Sequence, residues 1–265
     1  MQTNNLLDLR RLGLLLKEEM SLQYLRYLLG LGVVFGGLFM IWWINAAGIF
    51  STEKQQLEEF HYIWFAVILL CGGAFFSSLA FVHFGAKTSR LFYLNLPASN
   101  FEKYTAKWLI TGLIYPLAIW VVYLIFSWLA NKVNIQYTEG TPFAQLPAFG
   151  ETTWLFMRIY FVSQTIFLAG AVFFHRYAIF KTAFSLMLVQ IFLMLFVYLC
   201  ARIIFPEMFE GWTAPASPNQ VYQITDTFKD FVNNRLEQVL EYVFWLALAP
   251  IMLVIGFFKL TEKEV

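Results

Sequence analysis

Polar and charged segments divide the chain into six apolar runs, about 27–50, 60–84, 107–130, 154–174, 178–205 and 242–258. Most reach roughly 18 residues or more, enough for a helix to cross a hydrocarbon core of about 30 Å. No ten-residue alternation of the kind a transmembrane barrel requires is present. The pattern predicts an all-α polytopic membrane protein with six transmembrane helices in one domain, 1–265. Ahead of the first run, Leu12, Leu15, Leu16 and Leu22 fall near helical spacing, while Arg10, Arg11, Lys17, Glu18 and Glu19 interrupt the apolar character. An interfacial amphipathic helix over 1–26, bases toward headgroups, is the expectation; a soluble cap is the alternative. An outer segment, 206–241, carries Pro206, Pro215 and Pro218. Its second part, 219–241, places Val221, Ile224, Phe228, Phe231, Leu236 and Val239 at helical spacing.

The cytoplasmic turn, 85–106, is the most structured of the connections. Pro97 biases Leu96 away from helix. Ser99 stands three residues before Glu102, the spacing at which hydroxyl and carboxylate cap each other's free backbone donors. Lys103 and Lys107 then add positive charge as a new helix enters the third span. Before the proline, Lys87, Arg90, Leu91, Phe92, Tyr93 and Leu94 suit a short helix with an apolar-aromatic edge for another protein and bases near lipid phosphates. A surface helix without a partner has the same composition. Inside the spans, Pro116 and Pro250 predict bends. Gly30, Gly32, Gly36 and Gly37 are expected to let a second helix approach closely. Ser77 and Ser78 are expected to bond carbonyls of their own helix. Gln164 and Gln190 lie roughly 21 and 18 Å from the 175–177 turn at 1.5 Å per residue. They can share a layer, as an amide pair or as polar groups on a translocation path.

Charge sets the orientation. Twelve of the 18 lysines and arginines fall in the N-terminal segment, in or directly beside the 85–106 turn and the next turn on that side, and in the C-terminal tail. The positive-inside rule then puts both termini and the Pro97 turn in the cytoplasm. At 60% hydrophobic and 13% charged, the composition is far from that of a soluble domain. A net charge of +1 gives no reason to expect nucleic acid. Cys71 and Cys200 lie on different spans and read as packing residues. No phosphate-binding loop, nucleophile elbow or zinc-binding helix motif occurs, and His61, His83 and His175 fall on separate elements. Glu58 and Glu59 adjoin the second span but lie outside it, unlike the paired glutamates of an intramembrane protease. Ionisable residues are nearly absent from span interiors, which argues against a proton-coupled carrier. No catalytic residue, metal site or cofactor is expected in this chain, and the energy source for any transport lies elsewhere.

The interfacial N-terminal helix, six spans, outer segment and basic Leu96-Pro97-Ala98-Ser99-Asn100-Phe101-Glu102 turn, with Lys107, resemble the ABC-2 type permeases. These are membrane subunits of ATP-driven exporters. The resemblance implies a bacterial cytoplasmic (inner) membrane location, two permease copies (a homodimer or a related pair), and a separate ATP-binding cassette subunit holding ATP and Mg. It implies that Lys87, Arg90, Leu91, Phe92, Tyr93 and Leu94 form the coupling helix, with Pro97, Ser99, Glu102 and Lys103 transmitting its movement. Substrates of lipid, amphiphile or glycan character fit the weakly polar spans. A non-transporting six-span assembly or regulatory protein is the alternative. The family's outer segment is often a pair of half-inserted helices; here it is longer and more polar in its second half.

Overall fold

The computed structural model describes residues 7–46, 54–82, 98–137, 149–174, 177–204 and 236–262. All regular elements among them are helical: α1 (Leu9–Ala46), α2 (Lys54–Val67), α3 (Gly73–Leu79), α4 (Asn100–Leu109), α5 (Tyr115–Tyr137), α6 (Glu151–Phe173), α7 (Ala178–Ile204) and α8 (Leu236–Glu262). Two five-residue π-helical turns, Ile68–Gly72 and Ile110–Ile114, join α2 to α3 and α4 to α5. Each of these composite rods is therefore one span with a bulge in it.

Five helices are long and apolar enough to cross a membrane, as in a multi-pass membrane protein. The first expected span is represented by a shorter apolar stretch, Leu28–Trp43, inside α1. The expected junction near residue 27 is absent. The amphipathic segment and the apolar stretch form one helix of 38 residues, roughly 57 Å long. No proline interrupts it, and its charged half finds partners on a neighbouring helix.

α1 runs parallel to the α4–α5 rod. Arg11 meets Glu102, Glu19 meets Lys107, and the Phe35 and Phe126 rings meet edge to face at 6.1 Å. One apolar cluster joins Leu38 and Trp42 of α1 to Phe65, Leu69, Ile119, Tyr123, Phe126, Ala130 and Tyr160. A second, at the elbow end, joins Phe81, Tyr104, Leu168, Ala171, Val172, Ala178 and Leu260. α6 lies at the centre and α8 packs along it; the Gly256 backbone comes up to Tyr104 and Ala169. α7 behaves differently. Thr182 in its first turns packs on Gly170, but every residue from Ala183 to Val197 is exposed.

The glycine-lined face of α1 is also open. Among the described residues, nothing lies within 4 Å of a Cβ placed at Gly30, Gly32, Gly36 or Gly37, so the helix expected to pack there is not one of the described helices of this chain.

Candidate functional site

The capping box forms as its spacing predicts. Ser99 has extended backbone, its Oγ accepts from Glu102 N–H at 3.1 Å, and Glu102 Oε2 accepts from Ser99 N–H at 2.9 Å. The structure adds what Glu102 does with its other oxygen. Oε1 accepts from the backbone N–H of Asp8 at 2.7 Å and lies 3.2 Å from Arg11 Nη2. Asp8 in turn caps α1, its Oδ1 accepting from Arg10 N–H at 2.9 Å. The Glu102 side chain is completely buried, yet its charge is met by one guanidinium and by the N-terminal ends of two parallel helices. Each such end carries about half a positive charge. A buried carboxylate is tolerated only where it is paired in this way.

Lys107, one helical turn past Lys103, is only 6% exposed and bonds Glu19 at 2.6 Å. Lys103 is buried beside it. The sequence had suggested both lysines as bases at the membrane surface. For Lys107 the structure shows an internal ion pair instead, because α1 continues straight past it. Arg11 and Glu19 were the partners that periodicity did not single out. The only hint of them was charge recurring on a segment otherwise spaced like a buried helix.

From Lys107 a chain of hydrogen bonds leads into the span. The Lys107 carbonyl accepts from Thr111 Oγ1 at 2.9 Å, and that hydroxyl accepts from Gln164 Nε2 at 2.6 Å. The neighbouring π turn explains the rest. Pro116 has no N–H to return to the carbonyl five residues back, Thr111; the Tyr160 hydroxyl donates to it instead. At the other bulge Gly73 N–H turns to the Leu69 and Leu70 carbonyls, and the Tyr115 hydroxyl donates to the Ile68 carbonyl at 2.8 Å. Gly72 and Gly73 make this possible. A Cβ on the first would strike the Tyr115 hydroxyl and one on the second the Tyr160 ring. The kink expected of Pro116 is thus realised as a π bulge, whose exposed carbonyl a tyrosine from α6 satisfies.

Gln164 and Gln190 do not meet. Gln164 is fully buried, its amide nitrogen on Thr111 and its oxygen without a partner. Gln190 is exposed on α7. Depth arithmetic placed them in reach, but the two helix faces diverge. Ser77 and Ser78 also depart from expectation: both hydroxyls are buried and neither bonds a carbonyl of its own helix. Lys87, Arg90, Leu91, Phe92, Tyr93, Leu94 and Pro97 lie outside the described residues, as do the outer segment up to residue 235 and His83 and His175. Among the described residues, no group of His, Cys, Asp and Glu is arranged to hold a metal. No protein-family model, curated protein or solved structure matches this chain.

Proposed function

We propose that the chain is the permease subunit of an ABC-2 type exporter, driven at the Pro97 elbow by a separate ATP-binding cassette subunit. The observation that carries this reading is the Glu102 joint. A lever that begins at a capped helix end must not fray, and must hand its motion to something rigid. Ser99 and Glu102 hold the first turn of α4, while Glu102 in that turn and Lys107 in the last tie the helix to α1. A push on the segment before Pro97 then moves α1 and the third span together. The π bulges at Ile68–Gly72 and Ile110–Ile114 offer the place where the rods can flex, since π turns hold fewer regular backbone bonds than the helix around them.

In this reading six spans cross the bacterial inner membrane with both termini cytoplasmic, and α1 contributes the first. The second permease copy lies against α7. Gln190 supports this, because an amide facing hydrocarbon lacks the partners that a protein neighbour supplies. The cargo, of lipid, amphiphile or glycan character, would move along the seam between copies. No ATP or Mg site is assigned to this chain; both belong to the partner.

Affinity purification of the tagged chain from its native membrane tests the assignment, with an ATPase expected to accompany it. The Ser99→Ala, Glu102→Ala double variant should insert in the membrane and still bind that ATPase, but lose most of the stimulation of ATP hydrolysis. Recovery of the chain without any nucleotide-binding protein would favour the assembly or regulatory role.

A further inference from the structure

Close to the second apolar cluster, at the same end of the bundle as the elbow, lies a cavity of about 200 Å³. Phe75, Ser78 and Val82 form one wall; Ala171, Phe174 and Phe180 form the other. Voids lined almost wholly by apolar groups stay dry and take apolar guests, and one of about 150 Å³ admits a benzene ring. This one stands where α6 ends and α7 begins, at the edge of the membrane-crossing part of the bundle.

Three features make it more than a packing gap. Ser78 is only 6% exposed and its hydroxyl, on the cavity wall, has no hydrogen-bond partner. Lys181, next in sequence to the lining residue Phe180, places its ammonium 5.8 Å from the centre of the Phe174 ring, another lining residue, one turn into α7 where the helix end adds positive potential. Tyr177, also part of the lining, holds a left-handed backbone (φ 57°) that a tyrosine rarely adopts. Such strain recurs where a ligand is clamped.

We infer that this cavity binds the ester-proximal carbons of one acyl tail of an anionic glycerophospholipid from the leaflet on the elbow side, with those carbons among the phenylalanines, an ester carbonyl accepting from Ser78 and the phosphate beside Lys181. The groups present match those of the ligand: an apolar floor, one donor on the wall a turn from Val82, and one cation beside the Phe174 ring. An alkane would leave Ser78 unsatisfied, and a sterol, with a single neutral hydroxyl, would bring no anion to Lys181. A free phosphate would leave the apolar floor empty. The site does not depend on the exporter reading and requires no ATPase.

The full chain, reconstituted in phosphatidylcholine vesicles, is irradiated with a trace of phosphatidylglycerol bearing a diazirine in one tail, and adducts are mapped by mass spectrometry. Adducts should concentrate on the cavity residues rather than spread over the bare face of α5 at Val121 and Ile125. Val82→Trp, a change at a half-exposed rim position that spares the core, should reduce cavity adducts to the level of that bare face. Lys181→Glu should lower them about fivefold for phosphatidylglycerol, and leave a diacylglycerol with the same tail unaffected. Ser78→Ala should erase the preference for ester-linked over ether-linked probe. Even labelling of cavity and bare face, or cavity labelling unchanged by Val82→Trp, overturns the site. Equal sensitivity of both headgroups to Lys181→Glu overturns the anionic specificity.

Discussion

At the base of α4, charge is met by charge: Glu102 with Arg11 and two helix ends, Lys107 with Glu19. Nine residues further along, roughly 13 Å on, the contacts around Thr111 involve no formal charge at all. There two tyrosine hydroxyls answer carbonyls at the bulges, one amide donates to the Thr111 hydroxyl, and glycines bring the helices close enough for this. The difference teaches what each region resists. The elbow holds two helix ends in a fixed relation, because displacing either strands a buried carboxylate. The mid-span knot holds its helices through neutral bonds, which exchange at much lower cost. A rod clamped at one end and soft at its middle bends at the middle.

Removing the charge is expected to have the largest effect. Glu102→Ala removes the buried acceptor shared by the Ser99 N–H, the Asp8 N–H and the Arg11 guanidinium and should destabilise the protein by about 3 kcal/mol, read as thermal unfolding in detergent. Next is Gly73→Ala, which drives a methyl into the Tyr160 ring. About 2 kcal/mol is expected, and pairing it with Tyr160→Leu should recover part of the loss. Smallest is Tyr160→Phe, which leaves the Thr111 carbonyl unanswered and should remove about 1 kcal/mol. If Tyr160→Phe proves as damaging as Glu102→Ala, the contrast between a stiff base and a soft middle fails.

The elbow was legible in part because its chemistry is local. Ser99 and Glu102 are three residues apart, and a capping box can be read from spacing alone. The second oxygen of Glu102 was not legible, since Asp8 and Arg11 are more than 90 positions away and nothing in a single sequence ties them to it. The same limit governs the rest. Pro116 announced a disturbance in the third span, but the bulge at Ile68–Gly72 has no proline and its glycines sit in an apolar run like any others. For Gln164 and Gln190, depth along a helix follows from counting residues, whereas the direction each side chain faces depends on how α6 and α7 pack. The charges of the 1–26 segment interrupt the apolar pattern of a span and so predict a helix of its own. They fit once α4 supplies the opposite charges.

The most direct test is a double-mutant cycle between Arg11→Ala and Glu102→Gln, measured by thermal unfolding of the full chain in detergent. If the carboxylate locks α1 to the elbow, the two changes will be strongly non-additive, with a coupling of about 1.5 kcal/mol or more. Additive losses, with a coupling near zero, would mean that α1 and the elbow are held together by something other than this joint.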